Sequence, residues 1–288
     1  MRANKSKKML SLLIFLSTSV NAKSIQAPLD KIDWQFSGDR FSCKLTKSLK
    51  FDGSVTFLAQ SVEPYSVLFS SSQRPYFIDE AKLDINTSPW DEKSGSKYLL
   101  SGSARGSDRL TFTGTAELHY LLNKMEKGAW SQISVSYNQH QEKKVWDIPA
   151  VSFSTSYQQF KSCVAALLPI DYAHAKDNTF FFSSSESSLS GDQQLLLTHI
   201  AEYIRYDHTI KSVLIDGHTD VTGSSLDNLG LSRQRAQSIA DELVAMGVSQ
   251  SQIQLRAHGQ RYPLVSGSSI QANQQNRRVQ LRIVKEGV

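Results

Sequence analysis

Residues 213–236, VLIDGHTDVTGSSLDNLGLSRQRA, decide how the second half of this chain folds. Val213, Leu214 and Ile215 form a short apolar run of the kind that fills a buried strand. GHTDVTGSS is polar and carries two glycines, so it reads as a loop. Ser232 stands where a helix N-cap belongs. It is followed by an inner face of Ala236, Ile239, Ala240, Leu243 and Val244 at helical spacing, and Gly247 ends the run. This puts Asp220 near the end of the strand and Arg235 in the first turn of the helix.

That placement gives the pair two readings. A guanidinium beside the free N–H groups of a helix N-terminus makes a carboxylate site, although the helix dipole disfavours the cation there. Asp220 suits an ammonium, and an α-amino-acid head group carries both charges on one carbon. A plain Asp220–Arg235 ion pair stapling strand to helix fits the spacing as well and is the simpler reading. His218, Asp220 and His258 lack further ligands at the spacing of a metal site, so hydrogen-bonded structural histidines are expected. The sequence has no G-x-S-x-G elbow and no HExxH. No catalytic residue, metal or cofactor is expected.

Working outward, residues 179–182 form an aromatic strand. Ser190 with Gln193 makes a capping box ahead of Leu196, Leu197, Ile200, Ala201 and Ile204 at helical spacing. Residues 253–257 and 279–284 read as strands. The expected order is β-α-β-α-β-β, an α/β sandwich with helices on one face of a small sheet.

The first half has another character. Runs at 51–60, 65–70, 81–85, 98–103, 110–120, 131–137 and 150–157 alternate apolar residues with Ser and Thr. No helical pattern is expected before Tyr157. Close-spaced short strands argue for an antiparallel β-rich sandwich or barrel-like domain. Most runs fall short of the ~9–11 residues of a membrane strand, so a soluble β domain is preferred to a membrane barrel. Residues 158–168 read as a helix carrying Cys163, stopped by Pro169. The expected organisation is α+β in two domains: 23–168 β-rich, 169–178 a linker, and 179–288 α/β.

The first 22 residues have the form of a leader. Arg2, Lys5, Lys7 and Lys8 precede an apolar run from 9 to 20, and VNA offers a cleavage site after Ala22. The run falls short of the ~20 apolar residues of a span, so no membrane span is expected in the mature chain. Removing those four cations takes the net charge from +5 to +1, which withdraws support for a nucleic-acid partner. Export to an oxidising compartment also bears on the only two cysteines, Cys43 and Cys163, which are expected to pair.

GHTDVTG (217–223), Asn228, LSRQRA (231–236), Gly247-Val248, His258-Gly259-Gln260 and NRRVQLRI (276–283) together resemble the OmpA-like peptidoglycan-binding domain family, over residues 181–284. The resemblance implies binding to the peptidoglycan stem peptide through its diaminopimelate residue. It implies that Asp220 holds the ammonium of the D-centre and Arg235 the adjacent carboxylate. It also implies that Asn228 and Arg278 are further pocket residues, with Thr219 and Leu231 lining the pocket. Where the family often has Asn, this chain has the shorter Ser185.

The leader, β-rich first domain, cysteine pair and C-terminal domain together resemble the periplasmic components of the sodium-driven polar flagellar motor. That resemblance implies a ring around the basal body built with a partner, MotX. The first domain would sit on the basal body and partner, and the second on the wall, so that stator units assemble nearby. A general envelope protein tethering the outer envelope to peptidoglycan is the alternative. A wall-modifying enzyme is a third reading, and it lacks a nucleophile–base pair.

Overall fold

The computed structural model describes residues 23–25, 33–49, 53–71, 78–88, 95–104, 109–137 and 142–287. The expected leader lies outside the described residues. In chain order the first half gives β1 (Lys23–Ile25), β2 (Trp34–Gly38), β3 (Ser42–Leu49), β4 (Gly53–Gln60), β5 (Ser66–Ser70), β6 (Ile78–Asn86), β7 (Ser96–Ser101), β8 (Ser103–Ala104) and β9 (Arg109–Thr113). Helix α1 (Thr115–Glu126), β10 (Trp130–Tyr137), β11 (Glu142–Ile148) and helix α2 (Phe153–Ala165) follow.

These strands form two sheets, ordered β1-β11-β10-β6-β7 and β2-β3-β4-β5-β9-β8. Neither closes into a barrel. The pairings β6–β7, β6–β10 and β10–β11 are antiparallel, whereas β1 runs parallel to β11. Alternation along β6 and β10 buries Ala81, Leu83, Ile133 and Val135. Phe69 of β5 meets Trp146 of β11 at a ring-centroid distance of 4.8 Å.

Two helices stand where strands were expected. The run 110–120 breaks at Gly114 into β9 and α1, whose Leu118, Leu121, Leu122 and Met125 are buried at i, i+3, i+4 and i+7. The run 150–157 turns into α2, which buries Phe153, Tyr157 and Phe160. In both places an apolar–Ser/Thr alternation overlaps a helical period, and packing selects the helix.

The second half gives α3 (Tyr172–Ala175), β12 (Asp177–Phe181), α4 (Gly191–Tyr206), β13 (Ile210–His218), α5 (Ser225–Ala245), β14 (Ile253–Gly259), α6 (Ile270–Asn276) and β15 (Arg278–Lys285). The sheet order is β12-β15-β13-β14. The parallel β13–β14 pair needs a crossover, and α5 supplies it. Phe180, Val213, Ile215, Val279, Leu281 and Ile283 pack against Leu197, Ile200, Ile204, Ile239 and Leu243 of α4 and α5. Each such side chain, fully buried, contributes about 1.5–3 kcal/mol. A Cβ on Gly217 would lie 2.1 Å from the Ser232 carbonyl oxygen of α5, so glycine there lets the helix lie directly on β13.

The expected capping box of α4 is present: Gln193 N–H donates to Ser190 Oγ and Ser190 N–H to Gln193 Oε1. Three features differ from expectation. Helix α5 starts two turns early, capped by Ser224 rather than Ser232. The polar segment 270–276 forms α6, which buries only Ala272 and Asn276 and so lacks a periodic apolar signal. The expected linker 169–178 carries α3 and buries Ile170 and Ala175 in the same core as α4 and α5.

By contact, the chain divides into two compact units. One takes Lys47–Val55 and Val67–Phe153 with the chain up to Asp33; the other takes Trp34–Thr46, Thr56–Ser66 and Ser154–Val288. The division does not fall after Leu168, because early residues pack within the second unit. Cys43 and Cys163 form a disulfide with Cα atoms 6.0 Å apart. Leu168 N–H donates to the Arg40 carbonyl, and Phe41 meets Tyr203 edge-on at 5.4 Å. No helix among the described residues is long and apolar enough to cross a membrane.

Candidate functional site

The site forms where β13 ends. Thr219 N–H donates to the Gly259 carbonyl, tying the two parallel strands together just before Asp220. Asp220 is buried at 5% exposure. Its Oδ1 accepts from the Thr222 N–H at 3.0 Å and from the Thr222 hydroxyl, a turn typical of Asp. Its Oδ2 accepts from Arg277 Nη1 at 2.9 Å. Burial alone would raise the Asp220 pKa. The Thr222 bonds and the Arg277 guanidinium outweigh it and hold the carboxyl below its ordinary range.

Arg235 is fully buried in the middle of the 21-residue α5. Its Nε donates to the Glu186 carbonyl at 2.7 Å and its Nη2 to the Ser183 carbonyl at 2.9 Å. The guanidinium carbon sits 5.1 Å from the centre of the Phe182 ring. Burial, and then the charge of Arg277, lower its pKa to about 10 against the pull of Asp220, which leaves it a cation at neutral pH. Helix α5 starts at Ser225, two turns ahead of the expected cap at Ser232. Arg235 lies roughly 15 Å along the axis from the helix N-terminus, so free backbone N–H groups do not assist it.

Two hydrogen-bonding positions at the site are unmatched among the described residues. A carboxylate has about four acceptor positions, and Asp220 uses three. Arg235 Nη1 is buried and meets no acceptor among the described residues. Leaving a buried charged donor unmatched costs at least about 1–3 kcal/mol. One acceptor position and one unmatched donor group, on opposite charges, have the chemistry to take an ammonium and a carboxylate.

The remaining expected residues divide. Asn228, buried in the first turn of α5, donates to the Thr222 carbonyl at 2.9 Å and to Gln260 Oε1 at 3.1 Å, bracing the Asp220 loop against the loop after β14. Thr219 is buried with its hydroxyl unmatched among the described residues, and Leu231 is half-buried on α5. Ser185 is exposed, at φ 58°, in the turn whose carbonyls Arg235 holds.

Arg278 does not join the site. On β15 it alternates with Val279, Leu281 and Ile283, which face the core, so it lies on the other face of the sheet. There its Nη2 donates to the Tyr262 carbonyl at 3.2 Å and to Gln280 Oε1 at 3.3 Å. The residue that meets Asp220 is Arg277, which the sequence reading passed over. The signal was present: in NRRV the arginine two before Val279 shares its face.

The histidines also lie on that other face. His218 and His258 stack at 4.8 Å, His258 Nε2 lies 2.7 Å from Asp216 Oδ1, and His218 Nδ1 lies 3.2 Å from the Arg261 carbonyl. Burial pushes His218 down to about 4, so it is neutral at pH 7. Among the described residues no group of three or more side chains is arranged to hold a metal ion.

Two family models match the chain: the MotY N-terminal domain over residues 25–169 and the OmpA family over residues 181–277. Asp220, Arg235 and Arg277 all fall within the second. The sodium-type flagellar protein MotY of Vibrio parahaemolyticus is 22% identical over 283 residues, covering 94% of each chain. The probable lipoprotein YiaD of Escherichia coli is 36% identical over 107 residues, which are 37% of this chain and 48% of that one. Among solved structures, the peptidoglycan-associated lipoprotein of Burkholderia pseudomallei aligns with 37% of this chain and 89% of its own, at 29% identity and a TM-score of 0.36. The first family match takes in half of the residues, and the chain belongs to the family of the MotY N-terminal domain, followed here by an OmpA family domain.

Proposed function

We propose that this protein is a non-enzymatic, periplasmic component of the sodium-driven flagellar motor that grips peptidoglycan through its OmpA family domain and supports stator assembly around the basal body. The observation that carries the wall-binding half is the buried Asp220–Arg277 pair beside the unmatched Nη1 of Arg235. Asp220 takes the ammonium and Arg235 the carboxylate of the diaminopimelate head group in the stem peptide. Arg277 holds the Asp220 carboxylate in place, and Asn228 braces the loop that carries it. Arg278 supports the fold from the other face of the sheet.

The motor half is supported by the match to the MotY N-terminal domain. In this reading the region before the linker meets the basal body and a MotX-like partner, residues 169–178 join the two functions, and residues 179–288 bear the reaction force on the wall. A chromosomal deletion tests the assignment. The expected result is cells with assembled but non-rotating flagella, restored by the wild-type chain and not by an Asp220→Ala chain. Normal swimming with a leaky envelope would instead establish a general envelope tether.

A further inference from the structure

Residues 243–285 carry six Lys and Arg and no Asp or Glu. Four of the six meet acids from other segments: Arg256 with Asp216, Arg277 with Asp220, Arg282 with Asp177 and Lys285 with Asp207. The other two, Arg261 and Arg278, make no ion pair among the described residues, and both touch the connection between β14 and α6. We propose that this connection, residues 260–269, is a docking surface for an acidic segment of a partner protein. The partner's carboxylates meet Arg261 above the buried charge of Arg278, and its apolar side chains lie against Tyr262, Leu264 and Val265.

The charge half comes from two guanidinium groups. Arg278 is 4% exposed, and its Nε and Nη1 meet no acceptor among the described residues. Its only printed partners are neutral, the Tyr262 carbonyl and Gln280 Oε1. Asp216, on the same face of the sheet, is already shared by Arg256 and His258. His218 beside it is neutral at pH 7. A buried charge is screened far less than an exposed one, so Arg278 leaves a positive potential beneath Tyr262. Arg261 is exposed above it. Its Nε donates to the His258 carbonyl at 3.2 Å, which leaves the two terminal amino groups of its fork for a carboxylate, the geometry of a charge-assisted pair.

The apolar half is exposed yet held still. Tyr262 is 67% and Leu264 56% exposed, and Val265 is exposed next to them. The fully buried Asn276 clamps this stretch: its Oδ1 accepts from the Leu264 N–H at 2.7 Å and the Val265 N–H at 3.1 Å, and its Nδ2 donates to the Val265 carbonyl at 2.8 Å. Tyr262, at φ 60°, sets its ring edge-on to His258 at 5.5 Å. Exposed apolar groups in a polar surround mark interaction sites, and a backbone fixed in advance lowers the ordering cost of binding. A buried, fixed cation suits one placed carboxylate on a protein rather than a diffuse layer of lipid headgroups. The surface is separate from the Asp220 pocket, since Arg278 lies on the opposite face of the sheet.

Titration of the mature chain at low salt, followed by nuclear magnetic resonance, tests this with two probes: a capped hexapeptide of alternating glutamate and leucine, and its counterpart with glutamine for glutamate. The expected result is about tenfold tighter binding of the acidic peptide, the range one charged hydrogen bond supports, with shifts centred on residues 260–270 and on the Arg278 Nε–H signal. Arg261→Gln should remove most of that preference, and Leu264→Ser should weaken binding of both peptides. Both positions are exposed, and circular dichroism checks that the variants fold. Arg261→Gln should also pellet with isolated sacculi as the wild type does. Equal affinity for the two peptides, a preference that survives Arg261→Gln, or shifts centred elsewhere overturns the docking surface. So does tighter binding to anionic phospholipid vesicles than to the acidic peptide, or release of the Arg261→Gln chain from sacculi, which would make the connection part of the wall grip. Failure of Asp220→Ala to release the chain from sacculi overturns the wall-binding reading alone and leaves the docking surface standing.

Discussion

The identity of the arginine paired with Asp220 can be tested by a double-mutant cycle. The pair is close, at 2.9 Å, and its side chains are 14% and 7% exposed. At an effective dielectric of about 20, two charges about 4 Å apart attract by roughly 4 kcal/mol. Removing one partner of a buried pair costs about 3–5 kcal/mol, because the other charge is left uncompensated. Asp220 keeps its two Thr222 bonds and Arg277 keeps the Phe182 carbonyl. Each single substitution, Asp220→Asn or Arg277→Gln, should therefore cost about 2–3 kcal/mol. The double variant should cost little more than either, which gives a coupling of about 2 kcal/mol. Urea unfolding followed by far-ultraviolet circular dichroism measures it, with Arg278→Gln in place of Arg277→Gln as the control. The Asp220 carboxyl is held below its ordinary range. Its contribution is therefore full above the unfolded carboxylate pKa near 4, and is lost as pH falls through the folded value. The coupling should vanish in strong acid. Additive single effects with Arg277, or coupling with Arg278 instead, would refute the assignment.

Other outcomes follow from single groups. Asp207 would be raised by burial, but Lys285 at 2.7 Å and the Thr209 and Tyr203 hydroxyls bring it down to about 2. Asp207→Asn should lower stability at pH 7 by about 2 kcal/mol, and the deficit should fade as pH falls from about 4 to about 2; a pH-independent deficit contradicts the ion-pair account. Ser185 sits at φ 58°, where Asn or Gly relieves a left-handed strain of about 1 kcal/mol. Ser185→Asn or Ser185→Gly should raise the melting temperature, and an unchanged or lower value counts against this. The disulfide joins residues 120 apart in sequence, so Cys43→Ser should destabilise by up to about 4–5 kcal/mol. Reductant should reproduce that loss in the wild type, and equal melting with and without it would sink the prediction.

Much of the second half could be read from its residues, because local signals and packing agree there. The Ser190–Gln193 box, the Leu197–Ile200–Ile204 stripe and the Val213–Ile215 strand all lie where their patterns put them. The start of α5 did not, for a physical reason. Gly230 costs a helix about 1 kcal/mol and makes 225–231 look like a loop. Tertiary bonds repay that cost: Asn228 to Thr222 and Gln260, and Ser232 Oγ to the Gly259 N–H. The consequence reaches the site, since it moves Arg235 from a helix end to a helix middle. In the first half, Ser/Thr alternation hid the helical spacing of Leu118, Leu121 and Met125. Telling Arg277 from Arg278 needed only the two-residue period of β15 applied one step beyond its end.

In the proposed function, the pocket of Asp220 and Arg235 holds the cell wall. Co-sedimentation of the purified mature chain with isolated sacculi measures this grip. Loss of one buried ionic contact costs on the order of 3 kcal/mol, or more than about a hundredfold in affinity. Folded Asp220→Ala and Arg235→Ala chains should therefore stay in the supernatant at concentrations where the wild type pellets. Both variants pelleting like the wild type would show that Asp220 and Arg235 do not hold the wall.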